Sequence, residues 1–376
     1  MKVDFFHHNI AAQDRKALDK TLRGLFISTG GEVKVFEEKF SAYLQVPYTV
    51  GVTSATAALH LALEALGVGK GDEVITTPMS FIATANSILH AGAKPVFVDV
   101  EPDTGNMDAA NIEKAITKKT KAILPVHLYG QLCDMKSISA IAKANKLKIV
   151  EDAAHALEAK RDGIGAGQLG DAAAFSFYAT KNITSGEGGA VTAHSKKVYE
   201  LLRKTRTHGM SRDASERYGR AFAHYDMDVY GWKYNMSNIQ AALLINQMDR
   251  IETNLKKRQK LWKIYLKELQ GVDGISFPAI RDGARSAMHL FTLWVAPKRR
   301  DAVLRKLQDA GIGVSAHFLP INLMRNYREN FGFKKGMFPN AEAIGSKTVT
   351  LPFYPDLTPA QIKTVTGTLK DILASF

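Results

Sequence analysis

Lys181 stands where an apolar run meets a glycine-rich turn, in Phe175-Ser-Phe-Tyr-Ala-Thr-Lys-Asn-Ile-Thr-Ser-Gly-Glu-Gly-Gly189. The run before it, Asp171-Ala-Ala-Ala-Phe-Ser-Phe177, reads as a buried strand, which puts the lysine at a strand mouth. Ser176 lies five residues upstream, where its hydroxyl can be aimed at a phosphate, and Gly186-Glu-Gly-Gly189 allows close backbone approach and positive φ. A second buried strand, in Ile149-Val-Glu-Asp-Ala-Ala-His155, ends at Asp152. A lysine for a Schiff base and a carboxylate for a pyridinium nitrogen are the two groups that pyridoxal 5′-phosphate (PLP) chemistry requires of a protein. A lysine partly desolvated beside a cationic ring has a lowered pKa, which suits it to be nucleophile and then proton carrier.

Each of the neighbouring residues has two readings. Asp152 is either the partner of the ring nitrogen or the N-cap of the next segment. His155 either contacts the phenolic oxygen of the cofactor or packs in the core. Thr53-Ser-Ala-Thr-Ala-Ala58 opens a helix with hydroxyls and small side chains, so it is a phosphate cup at a helix N-terminus or an ordinary Ser/Thr cap. Phe81, at a helix start after Thr77-Pro-Met-Ser80, either stacks on the pyridine ring or is plain core.

The elements that must position these groups alternate. Strands are expected at 50–52, 73–77, 94–100, 120–127 and 147–151, with helices at 57–66, 81–90, 109–116 and 135–144 between them. Val33, Phe36, Phe40 and Leu44 form an apolar stripe on an earlier helix. The fold class is therefore α/β, a mostly parallel sheet with helices on both faces. Ligands bind such sheets outside the carboxyl ends of the strands. Thr53–Thr56, Phe81, His127 and Asp152 all fall just past such ends, on one shared edge. After a helix at 196–206, a polar loop covers about 207–231 and a long helix 238–269. A smaller α+β domain follows, with strands at 288–296 and 313–317 and helices at 300–310 and 359–373. The boundary is placed within the long helix, giving domains 1–246 and 247–376.

The net charge of +13 is spread over helix faces and lacks a basic tail, metal-finger spacing or RNA-binding aromatics, which argues against nucleic acid. A single cysteine, Cys133, excludes an intramolecular disulfide and fits a reducing compartment. No run approaches membrane-spanning length and the first residues lack a signal-peptide core, so a cytoplasmic protein without membrane contact is expected. The first strand is not followed by Gly-x-Gly-x-x-Gly, which weighs against a dinucleotide-binding protein.

Taken in order, Ile27-Ser-Thr-Gly30, Pro125-Val-His-Leu-Tyr-Gly130, Glu151-Asp-Ala-Ala-His155 and Asn182-Ile-Thr-Ser-Gly-Glu-Gly-Gly189 form one pattern. It continues with Gly231-Trp-Lys-Tyr-Asn-Met236, Gly313-Val-Ser-Ala-His-Phe318, Tyr327-Arg328 and Leu351-Pro-Phe-Tyr-Pro355. Nearly the whole chain thus resembles the DegT/DnrJ family of PLP-dependent aminotransferases acting on nucleotide-linked keto-sugars. The resemblance implies a type I PLP-dependent aminotransferase fold and a homodimer with shared active sites. It implies Lys181 as the Schiff-base lysine, Asp152 as the ring-nitrogen partner and His155 near the phenolic oxygen. Thr56, Ala57 and Ser176 match phosphate contacts, and Phe81 a stacking aromatic. Asn235 matches a residue reaching the phosphate of the neighbouring subunit, which would carry the 207–235 segment across the interface. Ile27, Ser28, Thr29, Gly30 and His317 match segments lining the sugar site. The segment Leu319–Leu323 departs from the pattern, with Asn322 where many relatives carry histidine. Lys181 argues against the branch that replaces lysine by histidine and catalyses dehydration.

The implied reaction moves an amino group from L-glutamate to a keto carbon, C4 by analogy, of a nucleotide-diphosphate sugar for surface-glycan synthesis such as lipopolysaccharide. The alternatives are a 3-keto-sugar aminotransferase acting on a dTDP sugar, or a PLP-binding sensor without turnover.

Overall fold

In the computed structural model residues 1–211 and 224–376 are described; the middle of the polar segment expected over 207–231 lies outside the described residues. The chain forms β1 (Tyr48–Val52), β2 (Glu73–Thr76), β3 (Lys94–Phe97), β4 (Thr120–Ile123) and β5 (Lys148–Asp152). A small hairpin, β6 (Lys160–Arg161) and β7 (Ile164–Gly165), precedes β8 (Ala172–Ser176) and β9 (Gly189–Ala193). Seven strands make one sheet in the order β1-β9-β8-β5-β4-β2-β3. Helical crossovers keep β2, β3, β4 and β5 parallel, and the connection through the β6–β7 hairpin keeps β8 parallel to β5, whereas the short loop 177–188 turns β9 antiparallel to both β8 and β1. The expected α/β architecture is the observed one.

That antiparallel strand sets the site. Its first residue, Gly189, pairs with Val52 at the end of β1 and with Ser176 at the end of β8. β8 runs beside β5 with Asp152 opposite Ala174. Three strand ends therefore meet in one row. A Cβ on Gly189 would lie 2.3 Å from the Ser54 carbonyl carbon, so only glycine lets the backbone close here. Gly189→Val should destabilise the chain by about 2 kcal/mol or more through overpacking against rigid backbone, read as a lowered unfolding midpoint.

Aromatic packing fixes the segment that carries the lysine. The helix Gly31–Leu44 buries Val33, Phe36, Phe40 and Leu44, the stripe expected from their spacing. Phe40 meets Phe175 and Phe177 edge-on at 5.1 and 5.5 Å, and Phe36 meets Phe177 at 5.3 Å. Phe175 and Phe177 face this helix, and Ser176 between them faces the opposite side of the pleat.

The expected long helix is two, Asn238–Met248 and Ile251–Glu268. Arg250 leaves helical geometry at φ −117°, and its guanidinium is held by Asp14 and by the Asn9 carbonyl at 2.8 Å. A three-stranded sheet follows, β10 (Ile275–Ser276), β11 (Phe291–Val295) and β12 (Thr348–Leu351), in that order. The strand expected at 313–317 reduces to one bridge between Ser315 and Thr350. β12 and the helices Ala12–Leu22, Arg325–Phe331 and Pro339–Lys347 lie where no element was expected. β12 has four residues, too few to display a period. Val3 joins the cluster built from residues 261–373, through a parallel bridge to Ile312. The first residues of the chain are thereby tied to its last third.

Candidate active site

A cavity of about 660 Å³ opens at the carboxyl end of the large sheet. Asp152, the last residue of β5, is 6% exposed at its floor. One carboxylate oxygen accepts the Thr84 hydroxyl at 2.7 Å and the other the Ala154 N–H at 3.2 Å. Ser80 lies 2.7 Å from the Thr84 hydroxyl and, since that proton is given to Asp152, donates to it. No helix begins at 153, which removes the N-cap reading of Asp152. Burial pushes its carboxyl above the usual range, against the lowering by Thr84 and Ala154. A cationic N–H beside it would relieve that cost.

Lys181 is partly buried in the cavity wall, one loop beyond β8. Burial lowers its pKa to about 8, against the opposing pull of Asp152. Below that pH the ammonium is inert toward an aldehyde; above it the free amine reacts. We expect the cofactor-free chain to capture PLP at a rate rising with pH through a midpoint near 8, followed by the growth of the visible absorbance band. A midpoint near the ordinary lysine value would contradict the burial.

Ser54 caps the helix Ala55–Ala65, its side chain accepting the Ala57 N–H at 3.1 Å. Cap and cup coexist, because Ala55 and Thr56, the first two helical residues, line the cavity and have no intrahelical acceptor for their N–H groups. Ser176 lines the same corner. Ala57 is buried behind it and already gives its N–H to the cap. Phe81 is 59% exposed at the cavity wall, 6.1 Å from Phe318, so it is not core. His155 also lines the cavity; its ring lies 4.5 Å from that of His289 and stacks on Phe318 at 5.9 Å. Its Nδ1 is buried without a hydrogen-bond partner among the described residues. His317 faces the cavity from the C-terminal part of the chain, its Nδ1 2.9 Å from the Thr350 hydroxyl and its ring stacked on Phe5. Burial first, and Lys181 second, lower its pKa to about 4.

His127 was expected on this edge and is not in the cavity. It is fully buried, with Nε2 2.9 Å from Glu151, which also accepts the N–H groups of Gly167 and Gly170. The pleat turns Glu151 to the opposite face from Asp152, and His127 follows it. Ile27, Ser28, Thr29, Gly30 and Asn235 also lie outside the cavity of their own chain. They form a separate cluster in which Asn235 donates to the Thr29 hydroxyl at 2.6 Å and Thr29 donates to the Met236 carbonyl at 2.7 Å. Asn322 is buried and donates to Glu342 at 2.9 Å.

His289 was not singled out from the sequence and stands 3.5 Å from the Lys181 amine. Its only local signal is a histidine ahead of the apolar strand β11; its partner is more than a hundred residues away in the chain.

The residues present fit PLP. An over-raised buried carboxylate suits a ring N–H, an unpartnered His155 Nδ1 suits a phenolic oxygen, and open N–H groups of Ala55 and Thr56 suit a phosphate. Bound there, PLP supplies an aldehyde for Lys181 and a ring that withdraws electrons from a substrate carbon. A mostly parallel sheet with such a lysine at its carboxyl edge defines a PLP-dependent aminotransferase of the type I fold. The chain belongs to the DegT/DnrJ/EryC1/StrS aminotransferase family, which it matches over residues 8–370. It is 39% identical over 97% of its length to the spore coat polysaccharide biosynthesis protein SpsC of Bacillus subtilis, covering 95% of that protein. It is 36% identical to the UDP-4-amino-4-deoxy-L-arabinose–oxoglutarate aminotransferase of Shewanella sediminis, over 97% of both chains. A Streptococcus pneumoniae chain assigned as a sugar aminotransferase, solved in its PLP form, superposes with a TM-score of 0.93 at 32% identity, over 100% of this chain and 99% of that one. The protein is a PLP-dependent sugar aminotransferase. Among the described residues no helix is long and apolar enough to cross a membrane.

Proposed function

We propose that this enzyme moves an amino group from L-glutamate to the C4 keto carbon of a nucleotide-diphosphate sugar, supplying amino sugars for a surface glycan. The observation that carries the reading is the cavity itself. At about 660 Å³ it lies in the range that encloses a drug-sized ligand, with one wall built around Lys181 and Asp152 and another from Ser315 to Phe318. The first wall suits the cofactor; His317 and Phe318 on the second suit a sugar. With PLP bound, Lys181 would hold its aldehyde and, when free, would move the proton at the substrate carbon. Asp152 keeps the ring nitrogen protonated throughout. Relatives named for spore coat polysaccharide and for a 4-amino-4-deoxy sugar support the substrate class and the position. The free buried thiol of Cys133 accords with a cytoplasmic enzyme.

The test is a panel of UDP-, dTDP- and GDP-linked keto-sugars given to enzyme first bleached by glutamate. Return of the visible band with a 4-amino product by NMR is expected. A 3-amino product would overturn the position, and no response to glutamate would overturn the donor.

The reading includes a homodimer whose sites are shared, with Asn235 and Ile27–Gly30 serving the neighbouring subunit. Their place outside the cavity of their own chain supports this, as do the exposed Leu22, Leu25, Phe26 and Ile27 and the exposed Met227, Tyr230 and Trp232. Asn235→Ala should weaken cofactor retention. A mixed dimer of Asn235→Ala with Lys181→Ala should keep about half the turnover, because sharing across a two-fold axis leaves one intact site. Remaining turnover that carries the weakened cofactor retention of Asn235→Ala would place Asn235 in its own chain's site.

A further inference from the structure

Behind Lys181 runs a chain of polar contacts that links three buried side chains through the half-buried Asn182. Arg258, on the helix Ile251–Glu268, is 2% exposed and pairs with Glu158, 1% exposed. Glu158 accepts from the Asn182 amide nitrogen at 2.7 Å, and the same nitrogen donates to the Ala287 carbonyl at 3.1 Å. Both partners only accept, so the NH2 group of Asn182 must face them and its oxygen must face the other way. That oxygen lies 3.1 Å from His289 Nδ1, which must therefore carry the ring proton. His289 Nε2 is left with a lone pair, 3.5 Å from the Lys181 amine. The ring is 5% exposed and packs against that of His155 at 4.5 Å.

We infer that His289 is a positioning residue for Lys181, a neutral acceptor whose tautomer is fixed by Asn182, Glu158 and Arg258 and which steers the amine whenever it is not bonded to the cofactor. This rests on Lys181 being the lysine that takes the PLP aldehyde. The titratable groups facing that amine are Asp152 from β5, His155 from the turn after it, His289 ahead of β11 and His317 from the segment before Phe318. Burial, then Lys181, holds His289 well below the ordinary histidine range, consistent with a neutral ring. The 3.5 Å separation is at the long limit of a hydrogen bond, and a turn of the flexible lysine side chain toward the ring would shorten it.

The experiment measures the pH midpoint of Lys181 acetylation in the full-length chain stripped of cofactor, read by peptide mass spectrometry, in the native protein, H289F, H289Q and N182L. A neutral acceptor stabilises the ammonium, so H289F should lower the midpoint by about one pH unit, the worth of one hydrogen bond to a charged group. H289Q, which keeps an acceptor, should restore it. N182L should lower it as H289F does, because Nδ1 loses its partner and the proton can move to Nε2. A midpoint raised by H289F would mean a protonated histidine repelling the lysine and would overturn the inference. An unchanged midpoint in both H289F and N182L would reduce the chain to packing and overturn it equally. Borohydride reduction of the native holoenzyme keeps the two levels apart: a tag missing from Lys181 sinks the assignment of the lysine, whereas a tag present with unmoved midpoints sinks only the role of His289.

Discussion

Lys181→Ala is expected to abolish turnover while leaving the fold intact and pyridoxamine phosphate bound. On the proposed assignment the substitution removes two functions at once, the amine that takes the cofactor aldehyde and the base that moves the substrate proton. Loss of general acid–base catalysis alone costs about 10²- to 10⁴-fold, and the missing covalent step adds to it. The pocket survives, because Asp152 keeps its contacts to Thr84 and Ala154, and Ser54 still caps the helix that offers Ala55 and Thr56 to a phosphate. Half-reaction rates with glutamate, followed at the visible band, and retention of pyridoxamine phosphate through gel filtration provide the check. Turnover above about one hundredth of the native rate would be more than the loss of such a proton-transfer group allows, and would remove the lysine from its role.

Asp152→Asn is expected to lower turnover by about 10²- to 10³-fold, the usual cost of deleting one preorganised electrostatic partner. The amide keeps the shape and can still meet Thr84, so packing changes little. It carries no charge, so under the proposed role a ring nitrogen held there would lose the reason to stay protonated, and the ring its electron-withdrawing power. The effect should fall on kcat rather than on the KM for glutamate, since Asp152 lies at the cavity floor and the defect is in the chemistry. An equal fall in affinity with kcat preserved would make Asp152 a simple binding residue. The pH dependence separates the two outcomes further. Burial holds the Asp152 carboxyl above its ordinary range. A ring N–H beside it relieves that cost, so in the cofactor-free chain PLP capture should weaken as pH drops through the raised value, and the asparagine variant should lack this limb.

Lys181, Asp152, Ser176 and the start of the helix at Ala55 were legible as a set because each lies within a few residues of a strand end, and strand ends in a parallel sheet share one edge. Strand-helix alternation and apolar stripes are local properties, and local properties are what a sequence displays. The type I fold and the roles proposed for the site residues came from the family resemblance that the order of motifs along the chain carries. His127 failed the same argument for a local reason: it pairs with Glu151, one residue from Asp152 and therefore on the other face of the pleat. Two readings could not be closed without the fold. The cap and the phosphate cup at Ser54 prove compatible, and Phe81 proves exposed rather than core.

The identity of the chemistry was thus written in short-range spacing. Strand β12, the tie between Val3 and Ile312, and the line from Arg258 through Glu158 and Asn182 to His289 were not. The members of that line come from the turn after β5, the loop after β8, a distant helix and the approach to β11, and no periodicity connects them. Which of the two Asn182 amide atoms faces the histidine, and hence which ring nitrogen faces the lysine, depends on bringing all four side chains together, three of them buried. Desolvation makes an unmatched donor or acceptor costly there, so tertiary packing alone selects the arrangement.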